Sequence, residues 1–316
     1  MKASKNSIIS GIALLLILQM FISCRGMKNP DRPIFKDNKD SSFRTVGDGT
    51  KILVYEFIPV SDFKKTIYII SGITGINHKS EKDIIELLSN NENRVVVIHP
   101  RGTGYSEGTR GDTNLDAFIA DYSDIIKGDS FYADRNRKIL LFSHSMSCAV
   151  ALAVAEKLPE VDGIILVNPP SRLKPVKGMS PGILNYLKYI GYYIFAPHTP
   201  VVNMAGDPSL MEDESDRKES EQRNHDPLLV KYFSMHYMTE SKKIMDAMVE
   251  NARQAGCPLL LLYGNKDMIV DKAGCDEIYS SWKGHNKNYE IINGGSHGKS
   301  TVIKGAEIIT QWIESI

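Results

Sequence analysis

The sequence predicts an α/β domain, with a mostly parallel sheet, helices on both faces and an inserted lid. Three observations predict it. From Thr66 onward, short all-apolar runs alternate with helical stretches. The alternation stops after "GIILVNP" for about eighty residues and resumes at Cys257. Between a strand-like and an alanine-rich helical stretch, "LLFSHSMSCAVALAVAEKLPE" (Leu140 to Glu160) carries a cluster of small polar residues. Strands buried on both faces read as continuous apolar runs, and helices between them supply the crossovers of a parallel sheet. One domain with an insertion fits this order better than two domains in series.

Composition sets the outer limits. A chain of 316 residues, 42% apolar and 24% charged, can bury a sizeable core. Its 38 basic residues balance 38 acidic ones, so no long basic surface recommends nucleic acid as a partner. There is no internal repeat.

At the N-terminus, Lys2 and Lys5 precede an apolar run from Ile8 to Ile22. Its 15 residues fall short of a membrane-spanning helix, for which about 20 are needed, and match a signal peptide over residues 1–24. The run ends "FISC", which resembles the lipobox of bacterial lipoproteins, although Phe21 stands where that pattern usually has Leu. The resemblance implies lipid attachment at Cys24 and a membrane-anchored lipoprotein of the bacterial cell envelope. An uncleaved anchor or an ordinary cleaved signal peptide are the alternatives. Residues 25–42 are polar, contain two prolines and show no period, so they read as a tether.

The domain proper occupies residues 43–316. "FRTVGDGTKILVYEF" predicts a hairpin, because Asp48-Gly49 tolerates the positive φ of a tight turn. "TIYIISG", "RVVVIHP", "KILLFS", "GIILVNP", "PLLLLYG" and "NYEIIN" follow as strands. "EKDIIELLSN", Asn114 to Lys127, "MSCAVALAVAEKL", "AGCDEIYSSW" and "IKGAEIITQWIES" are the helices between and after them. Cys148, Cys257 and Cys275 cannot all pair; free thiols are expected, with a Cys257–Cys275 bridge left open.

"SHSMS", Ser143 to Ser147, stands where a nucleophile elbow G-x-S-x-G turns sharply from strand to helix and presents its central serine. Serines replace both glycines, which adds strain; a helix-capping turn is the bland alternative. A serine hydroxyl needs a histidine to take its proton, and that histidine needs a carboxylate to fix its tautomer. Asp267 follows "LLLLYGNK" and His297 follows "NYEII", giving the order Ser145, Asp267, His297 at strand ends. Asp271 and Asp276 are rivals that lie farther from the strand. The small residues of "IISGITG" offer the backbone N–H of Ile73, to act with that of Met146 as an oxyanion hole.

"RGTGYSEG" resembles the R-G-x-G-x-S-x-G loop of the α/β-hydrolase family, and "SGITG" stands where that family has its H-G oxyanion motif, with Ser71 in place of His. "NHDPLLVKYF" resembles an N-D-P-L stretch of the monoacylglycerol lipase, lysophospholipase and serine aminopeptidase group. The resemblance covers roughly residues 43–316 and implies an α/β-hydrolase fold and a serine hydrolase of lipid-derived monoesters. A serine aminopeptidase and a non-catalytic lipid-binding lipoprotein are the alternatives.

The insertion, about 171–255, is expected to cover Ser145. "GILNYLKYIGYYIF" places Ile183, Leu187, Ile190 and Ile194 on one helical face, and seven of the chain's 12 methionines fall in the insertion, which suits an acyl pocket. The charged stretch "GDPSLMEDESDRKESEQRNHDP" reads as a solvated loop whose acids offer an aminopeptidase its amine site. The remaining histidines show no ligand spacing, and no phosphate-loop or dinucleotide fingerprint is present. No metal and no nucleotide cofactor are expected.

Overall fold

The computed structural model describes residues 26–36, 40–60, 62–72, 74–75, 81–89, 92–134, 136–175 and 183–316. Cys24 and Ile73 lie outside them. The hairpin forms from β1 (Ser41–Thr45) and β2 (Lys51–Phe57), paired antiparallel, with Gly49 at φ 86° in the turn. There follow β3 (Lys65–Ile70), α1 (Lys82–Ser89), β4 (Asn93–Ile98), α2 (Leu115–Lys127), β5 (Lys138–His144), α3 (Ser147–Lys157) and β6 (Gly163–Val167). Next come α4 (Ile183–Phe195), β7 (Pro200–Asn203), α5 (Glu214–Arg223), β8 (Tyr232–Ser234), α6 (Met235–Asp246) and α7 (Met248–Gln254). The chain closes with β9 (Leu259–Gly264), α8 (Lys272–Ser281), β10 (Lys287–Ile292), α9 (Ser300–Lys304) and α10 (Ala306–Ser315).

Eight strands form one sheet in the order β1-β2-β4-β3-β5-β6-β9-β10, parallel from β4 to β10. Alternate residues serve opposite faces: Val96 enters a core that includes residues of α2, α3, α7 and α8, while Val95 and Val97 enter one with residues of α1, α9 and α10. Burial on both sides is why the central strands β3 to β6 and β9 carry continuous apolar runs. Because β5, β9 and β10 run parallel, the loops after them open at the same end of the sheet.

The insertion departs from expectation in three respects. Met248 is fully buried in the main core and Met238 and Met245 pack against it, so these three methionines anchor α6 and α7 to the body. The polar stretch expected to be a loop is helical, α5, capped by Asp213, whose side chain accepts from the amides of Ser215 and Asp216. Along α4, Ile183, Leu187, Ile190 and Ile194 are all exposed, from 40% to 77%, with Tyr192 providing the buried contact.

Nor do residues 26–36 behave as a free tether. Asn29 is buried; its side-chain carbonyl accepts from the amides of Lys231 and Tyr232, and its NH2 donates to the carbonyls of Arg110 and Tyr232. The Met27 amide donates to Pro200 O. This segment straps the insertion to the body. Cys148, Cys257 and Cys275 are free thiols, so the Cys257–Cys275 bridge does not form.

Candidate active site

Ser145 turns the chain from β5 into α3 at φ 56°, a left-handed conformation costly to a residue with a Cβ. The two serines in the glycine positions help to hold that turn. Ser147 Oγ accepts from the His144 amide (2.9 Å) and donates to the His144 carbonyl (2.7 Å), while Ser143 Oγ donates to Ile165 O on β6 (3.2 Å). Both side chains are buried, and both hydroxyls are consumed by backbone groups, within the turn for Ser147 and on β6 for Ser143. Of the three, only the Ser145 hydroxyl is directed to an imidazole ring.

That histidine is His297: Ser145 Oγ lies 2.8 Å from its Nε2, and its Nδ1 lies 2.7 Å from Asp267 Oδ2. Asp267 is 1% exposed, and its Oδ1 accepts from the amides of Ile269 (2.7 Å) and Val270 (2.8 Å). Burial alone would raise this carboxyl's pKa; His297 and the two amides outweigh it and hold the pKa below its ordinary value. Asp271 instead caps α8, and Asp276 pairs with Lys272. His144, adjacent to Ser145, is pushed down to about 3 by burial and by His297, whose ring lies 5.4 Å away centroid to centroid. A neutral imidazole there avoids a second positive charge beside His297.

Met146 occupies the mouth of α3, directly after Ser145. Ile73, expected to supply the other oxyanion amide, is outside the described residues. Ser71, in the place of the family histidine, is tied into the sheet: its amide donates to Tyr122 Oη and its hydroxyl to Ile98 O. The "RGTGYSEG" loop is structural. Arg101 forks onto Asp121 and reaches Asp48, and Ser106 Oγ accepts from the Leu53 amide.

Two positioning residues escaped the sequence reading. Asn168, at φ 47° after β6, donates to Ser296 O (3.0 Å) and accepts from the Gly264 amide (2.8 Å), tying the loop of His297 to the end of β9. Asp216, 3% exposed on α5, reaches the same loop: its Oδ2 accepts from the hydroxyls of Ser296 (2.6 Å) and Ser300, and its Oδ1 from the Ser300 amide (2.9 Å). A Cβ at Gly298 would stand 2.3 Å from Asp216 Cγ, so the glycine admits this approach. Around it, Lys304 pairs with Asp213, Lys299 with Glu219, and Arg223 with Glu81. Polar contacts, not an apolar face, hold this helix beside the histidine loop. A hydroxyl with a proton acceptor in reach, and that acceptor oriented by a buried carboxylate, is an arrangement able to generate a nucleophile.

A model of the family described as "Serine aminopeptidase, S33" matches residues 61–299. Phospholipase YtpA of Bacillus subtilis (strain 168) is 27% identical over 231 residues, covering 70% of this chain and 83% of that protein. Among solved structures, a soluble variant of monoglyceride lipase from Saccharomyces cerevisiae, in complex with a substrate analog, superposes with a TM-score of 0.73 at 17% identity, covering 92% of this chain and 98% of that one. The monoacylglycerol lipase of Paleococcus ferrophilus superposes with a TM-score of 0.64 at 20% identity, over 83% of this chain and 98% of that one.

Proposed function

Because the chain belongs to the serine aminopeptidase S33 family and has an α/β-hydrolase fold, we propose that it hydrolyses carboxyl esters, and in particular lipid-derived monoesters such as monoacylglycerols or lysophospholipids. The observation that carries the reading is the continuous relay Ser145 Oγ–His297 Nε2 and His297 Nδ1–Asp267 Oδ2, at 2.8 and 2.7 Å. Ser145 attacks the ester carbonyl as His297 takes its proton, and Asp267 stabilises the imidazolium. The Met146 and Ile73 amides hold the oxyanion. His297 returns the proton to the departing alcohol, then activates water, which releases the acid and restores Ser145.

Lipid substrates are favoured by the names of the relatives and by α4, whose exposed Ile183, Leu187, Ile190 and Ile194 suit contact with acyl chains or a lipid aggregate. The family's description raises aminopeptidase activity as the second reading. Against it, Asp216 and Glu219 of the insertion are engaged with Ser296, Ser300 and Lys299 and are not presented to a substrate amine. Cys24 carries the lipid anchor in this reading, which places the enzyme on a membrane of the bacterial cell envelope; the lipobox-like "FISC" supports it.

The test is a panel of nitrophenyl esters of graded chain length beside aminoacyl nitroanilides, with labelling by a fluorophosphonate probe. Ester turnover without anilide turnover, and labelling abolished in Ser145→Ala, are expected. Anilide turnover alone selects the aminopeptidase, and labelling of the Ser145→Ala protein would remove Ser145 from its role.

A further inference from the structure

Away from the histidine relay, Asp112, His198 and His236 each bring one possible ligand atom within 4.8 Å of the others. They come from three segments: the loop before α2, the turn between α4 and β7, and the first turn of α6. Backbone contacts bring these segments together independently of the three side chains. The Ser234 amide donates to Gly111 O (2.8 Å) and the His236 amide to Pro197 O (2.9 Å). Gly111, at φ 81°, lets the loop bearing Asp112 approach β8 so closely that a Cβ would stand 2.0 Å from Tyr232 O. The convergence is therefore built into the main chain.

Both rings turn Nδ1 toward the same carboxylate. His198 Nδ1 lies 3.0 Å from Asp112 Oδ2, and His236 Nδ1 lies 3.3 Å from Asp112 Oδ1, with the ring centroids 4.6 Å apart. Ligands at about 2.0–2.1 Å around a tetrahedral ion stand about 3.3 Å from one another, so these separations admit a shared ion as well as direct hydrogen bonds. The same carboxylate is held from its other side, since Oδ1 also accepts the Ser234 hydroxyl at 2.5 Å. Around an ion, that same hydroxyl becomes the outer contact that orients the carboxylate.

Two neutral imidazoles and one carboxylate carry a single negative charge, and a nitrogen-and-oxygen donor set suits borderline divalent ions. His198 is largely exposed, which leaves a path for the ion and a place for a water ligand. We propose that Asp112, His198 and His236 bind one divalent first-row ion of the Zn²⁺ type, and that the ion clips the insertion, which carries both histidines, to the body. The role is structural, since none of the groups assigned to ester cleavage belongs to the cluster. Sequence spacing hid the set: Asp112 is 86 residues from His198 and 124 from His236.

The test uses the full-length protein, purified without a polyhistidine tag, stripped with chelator and titrated with Zn²⁺ and Co²⁺. One equivalent should bind, Co²⁺ should show the intense visible bands of a four-coordinate ion, and the thermal midpoint should rise with ion concentration. His198→Ala, at an exposed position where folding is safe, should weaken binding at least about tenfold, and His236→Gln should do the same. Equal binding by wild type and His198→Ala, or no binding at roughly 100 μM ion, where even a site of modest affinity would be filled, would overturn the proposal and leave a hydrogen-bonded cluster only.

Discussion

Replacing Asp216 by alanine removes three contacts to the loop of His297 at once: those from the Ser296 hydroxyl, the Ser300 hydroxyl and the Ser300 amide. Hydrogen bonds to a charged group contribute about 1.5–3 kcal/mol each, and stranded buried donors add to the loss, although contacts sharing one carboxylate do not sum. A stability loss of about 3–5 kcal/mol is expected, as for other broken buried polar networks. Catalysis should suffer separately, because Ser296 immediately precedes His297 and a displacement of about 1 Å costs on the order of a hundredfold in rate. Asp216→Asn keeps an acceptor for the Ser300 amide and lets the two hydroxyls rotate to accept, so it should fall between wild type and alanine. The assay is kcat and KM on a two-carbon nitrophenyl ester, with the fluorophosphonate labelling rate followed against pH. A short ester is not expected to draw on binding by the insertion, so kcat should drop by one to two orders of magnitude while KM changes little. A folded Asp216→Ala protein with unchanged kcat, or one impaired only in KM for long esters, would show that α5 shapes the insertion without holding His297.

Two further outcomes follow from the same contacts and from the leader. Burial, and after it Glu81, pushes Glu219 up to about 7, above the ordinary glutamate value, so the folded state holds a proton the unfolded chain has lost and stability falls as pH rises through that window. Glu219→Gln should therefore raise the thermal midpoint at about pH 8, by at most the equivalent of about 3 kcal/mol less the lost Lys299 contact, and the gain should shrink toward zero near pH 5; a pH-independent difference would refute it. Cys24→Ser should abolish incorporation of labelled fatty acid and release the protein from membranes, whereas unchanged incorporation would disprove lipid attachment there.

What the sequence made legible follows from where the hydrophobic pattern is local. Strands β3 to β6 and β9 each hold a continuous apolar run because both faces are covered, and each announces itself within five to seven residues. Ser145 was legible because it lies directly beyond β5, and His297 because it follows β10, the last strand of the sheet. Helix α5 was not: "ESDRKESEQR" has no apolar stripe, and its attachment runs through Asp216, Ser220 and ion pairs to residues distant in the chain. Asn29 was opaque for the same reason, since its four hydrogen bonds reach three residues 81 to 203 positions away. The methionines of α6 and α7 were ambiguous in the sequence because a flexible apolar side chain fills a core as readily as it lines a pocket, and Met248 fills the core.

The elbow shows how a departure from a motif can be offset by the residues that cause it. Glycines flank such a serine because the turn brings strand and helix backbones close together, and a Cβ at either position crowds them. Here both crowding residues carry a hydroxyl, and each hydroxyl finds a backbone partner: Ser147 bridges the amide and carbonyl of His144 within the turn, and Ser143 reaches Ile165 on β6. These contacts stabilise the geometry that the added Cβ atoms oppose. Alanine has the same Cβ and no hydroxyl, and would keep the crowding while losing the compensation. Serine in both positions thus preserves a left-handed Ser145 through side-chain hydrogen bonding where glycine would do so by lacking the crowding Cβ.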